Sequence, residues 1–317
     1  GHVLTVDANG EAGFAAASGG GGGVSSDSNS NTVGGTGAGN ALDSDTYSNT
    51  FFGHAAGYSL DSGDGNTAVG RYALQNGTSA TSNSVFGYGA GRATTTAENN
   101  TLLGYEAGTA ITTGGKNTFI GLNSGKSATT GNKNCALGND AGQGITSGFW
   151  NIYIGEKAGY STTTGYGNVA IGRSSLYNNT GATYNTCVGN GAGTNFTSHL
   201  NVAIGADAGQ MGGSKQYSVY VGSHAGTSNS VGNNCILIGY QADCSSANVN
   251  NEITLGNSSI TKFRIPGIDF TLKDNGGTPT EGHVLTVDAN GEAGFAAASG
   301  GGGLSSDSQF NTVGGTN

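Results

Sequence analysis

Apolar residues in this chain come in short groups, each closed by glycine, at a nearly constant interval. The motif Asn-x-x-x-Gly runs as NTVGG (31–35), NTFFG (49–53), NTAVG (66–70), NSVFG (83–87), NTLLG (100–104), NTFIG (117–121), NCALG (134–138), NIYIG (151–155), NVAIG (168–172), NTCVG (185–189) and NVAIG (201–205). Degenerate copies SVYVG (218–222), CILIG (235–239) and EITLG (252–256) follow. Fourteen copies give thirteen spacings, of which eleven are 17 residues, one is 18 and one is 16. Seventeen residues accommodate two short strands and two turns, and are too few for a helical repeat. The glycine and β-branched content also disfavours helix. Each unit is therefore expected to be one coil of an all-β solenoid (a β-roll of about 14 coils). At roughly 4.8 Å per coil it would extend about 65 Å.

The columns of the repeat carry separate expectations. The first position (Asn31, Asn49, Asn66, Asn83, Asn100, Asn117, Asn134, Asn151, Asn168, Asn185, Asn201) is expected to stack as an amide ladder. The fourth position is apolar throughout the regular array: Val69, Phe86, Leu103, Ile120, Leu137, Ile154, Ile171, Val188, Ile204, Val221, Ile238, Leu255. It is the expected core column. The glycine after it suits a corner or a positive φ, and a small residue follows three positions later, as at Ala73, Ala90 and Ser124. The third position (Val85, Leu102, Phe119, Tyr153, Tyr220, Leu237 among others) neighbours the fourth and must point to the opposite face. A long exposed apolar stripe is unusual on a monomer, so this column is expected to form the interface of a parallel homo-oligomer, a trimer.

Outside the coils, residues 1–22 recur letter for letter as 282–303. The expected organisation is a β-hairpin segment and glycine hinge over 1–23, the solenoid over 24–256, a closing β segment over 257–281, and a second copy of the N-terminal segment over 282–317. The hairpin reading rests on two apolar-rich strands flanking Asn9-Gly10, a favoured type I′ pair, and Gly19 to Gly23 reads as a flexible hinge. The duplicated segment and the absence of an initiator Met suggest a piece of something longer, with tandem units of about 280 residues.

Composition sharpens the picture. Gly accounts for 62 residues, Pro for 2 and charged residues for 10%, so an ordinary globule is not expected. Disorder, the usual alternative for such a composition, conflicts with apolar residues at fixed positions. Net charge is −9 with no Lys/Arg cluster, which argues against a nucleic-acid partner. No apolar run approaches the roughly 20 residues of a bilayer span. Cys135 and Cys187 lie about three coils, or some 14 Å, apart, beyond the roughly 7 Å that a disulfide tolerates. Cys235 and Cys244 could meet across one turn, but free thiols are the expectation for all four.

The NVAIGxxAG signature resembles the head repeats of trimeric autotransporter adhesins, which form trimeric left-handed β-rolls, usually with a shorter repeat. The segments NEITLGNSSITKFRIPG (251–267) and GHVLTVDANGEAGFAAA (1–17) resemble bacteriophage tail-fibre proteins. These resemblances imply an extracellular, virion-surface fibre that reaches toward or attaches to a host surface. It would partner itself and a host glycan or protein receptor, without catalysis, cofactor or membrane insertion. A bacterial surface adhesin or extracellular matrix filament is the alternative.

Catalytic and metal readings are weak. GLNSGKS (121–127) has three residues where a phosphate loop needs four. The histidines His2, His54, His199, His224 and His283 show no ligand spacing, and no GxSxG occurs. Asp43 and Asp45, and Asp61 with Asp64, resemble parts of calcium loops but read more simply as solvated turns. The Thr column Thr32, Thr50, Thr67, Thr101, Thr118, Thr186 would suit an ice-binding face were it not broken by Cys135, Ile152 and Val169. Trp150 and several tyrosines are candidates for sugar stacking.

Overall fold

The computed structural model describes residues 2–6, 12–16, 23–211, 214, 216–227, 232–246, 249–265, 270–273, 283–287, 292–297, 305–306 and 312–313. Among the described residues there is no helix. Contacts divide the chain into two units, Gly1–Leu255 and Gly256–Asn317.

In the first unit, β1 (His2–Val6) pairs antiparallel with β2 (Ala12–Ala16). The Asn9-Gly10 turn and the glycine run up to Gly22 lie outside the described residues. β3 (Val24–Ser26) then pairs antiparallel with β4 (Thr32–Gly34), and every later pairing in this sheet is parallel. Thirteen further three-residue strands, from β5 (Thr50–Phe52) to β17 (Ile253–Leu255), stack in sequence order to complete a 15-stranded sheet. The result is a β-solenoid of about 13 turns. Register follows the repeat, with Ala136 facing Phe119 on one side and Tyr153 on the other. The long and short spacings are absorbed in turns: Thr50 still faces Thr32, and Val202 still faces Thr186.

Each coil contains one strand, where the sequence suggested two. The remainder of the coil is a succession of turns whose backbone groups also pair with neighbouring coils. Gly57 N–H donates to the Ala73 carbonyl at 2.9 Å, Thr78 N–H to Thr95 at 3.0 Å, and Ser82 N–H to Asp64 at 2.8 Å. Backbone polar groups are thus satisfied along the stack without a second strand, which explains how so glycine-rich a segment holds its shape.

The two apolar columns are the reverse of the sequence expectation. The third position is interior: Val85, Phe119 and Leu237 are fully buried, as are Leu102, Tyr153 and Tyr220 to within 1%. The expected core column lies on the outer face. Phe86, Leu103, Leu137, Ile171, Ile204, Ile238 and Leu255 are exposed, and Val69, Ile120, Ile154, Val188 and Val221 are half-buried. The alternation of the strand puts the third position inward with the buried asparagine of the first, and the fourth outward. The third position varies because the coil interior is filled jointly with residues further along the same coil. Phe119 lies against Gly125 in a coil whose buried partner is Ala128, whereas Ala136 lies against Gly142 in a coil that buries Ile145, and Ala68 and Ala170 share their coils with the buried Leu74 and Leu176. A Cβ on Gly159 would lie 2.6 Å from the Tyr153 ring, so the large side chain is possible only opposite glycine. Compensating volumes at near-crystalline density mark a core, and such variation conceals it in the sequence.

In the second unit, β18 (Lys262–Ile265), β19 (Phe270–Lys273), β20 (His283–Val287) and β21 (Glu292–Ala297) form a four-stranded sheet in the order β18-β19-β21-β20. The segment 257–281 therefore contributes β18 and β19 to the sheet of the repeated hairpin; the solenoid's own sheet ends at β17. β22 (Ser305–Ser306) pairs antiparallel with β23 (Thr312–Val313), with Ser306 opposite Thr312 as Ser26 is opposite Thr32.

Candidate functional site

The most extensive polar structure is the asparagine ladder inside the solenoid. Asn66 Nδ2 donates to Asn49 Oδ1 at 3.0 Å and to the Ala80 carbonyl at 2.7 Å, while Asn66 N–H donates to the same Asn49 Oδ1 at 2.9 Å. The same three bonds recur at Asn83, Asn100, Asn117, Asn134, Asn151, Asn168 and Asn185. Each amide thereby joins the coil before it to its own turn, in a site with no access to water.

Both ends of the ladder have substitutes. Asp27 takes the place of a preceding asparagine: its carboxylate accepts from Asn31 N–H at 2.8 Å, Asn31 Nδ2 at 2.8 Å and Asn29 N–H at 2.9 Å. Slight desolvation pushes its pKa up, but the bonds from Asn31 and Asn29 outweigh this and hold the carboxyl below its ordinary value. After Asn201, the column continues with Ser218, which donates its N–H to Asn201 Oδ1, and with Cys235, whose N–H donates to Ser218 Oγ. Glu252 follows, and its carboxyl is lowered by bonds from Ser245 Oγ and N–H and from Thr254.

The glycine closing each strand is required by two constraints. Gly138 and Gly155 have φ of 137° and 128°, and a Cβ on Gly138 would sit 2.7 Å from the Gly155 carbonyl group of the next coil. Only glycine permits both that dihedral and that approach.

The outer face of the sheet consists of the second and fourth positions. The second is Thr or Ser in the early coils and Cys135, Ile152, Val169, Thr186, Val202, Val219, Ile236 and Ile253 in later ones. No charged residue occupies either row between Thr32 and Leu255, and Leu103 is 47% exposed. The Thr column considered for ice is thus on the surface, interrupted as the sequence shows.

The remaining candidates serve as turn and packing groups. Asp43 accepts from Asp45 N–H, Asp64 accepts from Tyr47 N–H and Asp61 accepts from Ser62 Oγ. Among the described residues no three His, Cys, Asp or Glu side chains cluster as a metal site. In 121–127, Ser124 is buried with Oγ donating to the Ala136 carbonyl, and Lys126 pairs with Glu106 at 2.6 Å. His54 meets Tyr72 edge-on, His199 Nδ1 bonds Thr183, and His224 lies 3.7 Å from Asp207. His2 and His283 are in β1 and β20. Trp150 packs edge-on against Phe149 with Lys133 over its ring. None of the four cysteines is in a disulfide: Cys187 and Cys235 are buried, Cys135 and Cys244 half-buried, and burial raises the pKa of the Cys187 thiol, which packs in the interior.

Two features escaped the sequence reading. A second threonine column (Thr78, Thr95, Thr112, Thr129, Thr146, Thr163) donates each hydroxyl to a threonine carbonyl of the next coil, as Thr95 Oγ1 does to Thr112 at 3.0 Å. Its 17-residue spacing was visible but lay in segments read as plain polar turns. The other is a surface cluster in which Arg71 and Arg92 both lie against Tyr72. Arg71, Tyr72 and Arg92 hold different positions in the repeat, although Tyr88 and Tyr105 follow Arg71 at 17-residue intervals.

The chain matches no known family model, no curated protein and no solved structure.

Proposed function

We propose that this chain is a structural fibre of a virus particle, comparable to a phage tail fibre, which extends toward or attaches to the host surface and performs no catalysis. The observation that carries this reading is the unbroken in-register stack of coils tied by buried amide columns. Such a solenoid resists bending and proteolysis because every coil is bonded to both neighbours. A length of about 60 Å of stacked coils at 4.8 Å each suits spacing and support.

The same reading includes a parallel homotrimer. The uncharged outer face presents two apolar or hydroxyl rows over the whole sheet, more apolar surface than a soluble monomer ordinarily leaves uncovered. Identical copies in parallel register would cover Leu103, Leu137, Ile171 and Ile204 with one another. This is a different face from the one the sequence suggested.

Light scattering of the purified chain is expected to give three times the mass of 31.1 kDa, and negative-stain images are expected to show slender rods with threefold symmetry. Mild oxidation should cross-link copies through Cys135, which is half-buried on the outer face, and Cys135→Ser should prevent it. A monomeric mass at micromolar concentration would sink the trimer, and compact particles would sink the fibre. A bacterial surface adhesin is the second reading, favoured by the likeness of NVAIG coils to adhesin heads. Localisation of the native protein to cell envelopes instead of virions would select it.

A further inference from the structure

We propose that Arg71 and Arg92, together with Tyr72, Tyr88 and Tyr105, form a binding site for a glycan bearing a carboxylated sugar. The two guanidinium carbons lie 4.6 and 5.3 Å from the centroid of the same Tyr72 ring. Arg71 donates to the Tyr72 hydroxyl at 2.8 Å, and Arg92 Nε donates to Gln75 at 3.0 Å. Among the described residues neither arginine is paired with a carboxylate. The acid on the neighbouring coil, Glu106, is already held by Lys126. In a chain of net charge −9 with only 11 Lys and Arg residues, two adjacent cations repel one another, and their contacts with Tyr72 and Gln75 supply no counter-charge. Their geometry suits a ligand that brings the missing anion, and a guanidinium fork matches a carboxylate with two parallel bonds.

The aromatic side of the site selects the rest of the ligand. Tyr88 and Tyr105 stack with centroids 5.1 Å apart and planes within 8°, Tyr72 meets Tyr88 edge-on at 5.9 Å, and His54 meets Tyr72 at 5.4 Å. Tyr88 and Tyr105 are 40% and 49% exposed. Stacked on one another, Tyr88 and Tyr105 present ring edges and hydroxyl tips held by the coil spacing at low conformational cost, which suits the apolar face and polar rim of a pyranose. An acidic peptide supplies carboxylates but no such face. A nucleic acid requires a row of cations along its backbone, and here there are two.

The assignment rests on the attachment reading, but its experiment measures saccharide binding by the isolated full chain, whereas that reading is tested by imaging and localisation; either can fail alone. The probes are sialyllactose and tetragalacturonate, with lactose, tetraglutamate and oligothymidylate as controls, measured by calorimetry or saturation-transfer NMR. At least one acidic saccharide is expected to bind, to weaken with added salt, and to lose about tenfold or more in affinity in Arg71→Gln/Arg92→Gln. Both side chains are exposed, so the variant should melt as the parent does. The proposal is overturned if neither acidic saccharide binds, if the double variant binds equally well, or if lactose, tetraglutamate or oligothymidylate binds as tightly.

Discussion

At the scale of single residues, asparagine is used here as a double connector. Asn134 Oδ1 accepts from Asn151 N–H and Nδ2, and Asn134 Nδ2 donates to Asn117 Oδ1 and the Gly148 carbonyl. Alanine at 134 would strand these partners in a dry interior, at about 1–3 kcal/mol for each buried group left unbonded. Asn134→Ala is therefore expected to lower the denaturant midpoint substantially; an unchanged midpoint would mean that the amides are not coupled. Gly138→Ala tests the corner. Its backbone strain of about 1–3 kcal/mol adds to the close approach of the new methyl to Gly155, so the variant should melt well below the parent. The need for glycine was legible in the recurrence of the letter. The reason, a carbonyl from the next coil against the missing Cβ, was not.

At the scale of the strand, adjacent leucines report which side is core. Leu102 is 1% exposed and Leu103 is 47% exposed. Leu102→Ala should cost about 2–5 kcal/mol through lost burial and a cavity. Leu103→Ala in the separated chain should cost about 0.5 kcal/mol or less, as at other surface sites, while weakening any assembly through that face. Equal effects on chemical unfolding would contradict this placement. The first strand pair and its turn supply the other test, because the Asp27 carboxylate caps the ladder. Its folded pKa is lowered, so its contribution is present above the unfolded value of about 3.9 and is lost as pH falls through the lower folded value. Hydrogen exchange at Asn31 N–H should accelerate over that acidic window more than in Asp27→Asn, which retains one acceptor oxygen and does not titrate.

For the solenoid as a whole, stability is close to a sum of nearest-neighbour terms between coils. Damage in a middle coil should therefore split the stack, while the same change in a terminal coil should fray only an end. Asn134→Ala is expected to broaden the unfolding transition or divide it in two. The corresponding change at Asn49 should leave the later coils protected in exchange experiments. A single sharp transition for both would show that the coils unfold as one unit.

The seventeen-residue recurrence was sufficient to establish the parallel solenoid, its register and its amide column, because residues at equal intervals in a stacked coil must lie above one another. It did not reveal which apolar column faced inward, although a buried asparagine at the first position places the third on its own side by strand alternation. That choice depended on small residues such as Gly125 and Ala128 making room for a large third position, and on Ile145 and Leu176 filling what a small one leaves empty. Such complementarity joins residues from separate turns of a coil, and only the closed cross-section brings them together. The meeting of Arg71 and Arg92 on the Tyr72 ring was decided in the same way, by neighbouring coils placing different repeat positions side by side.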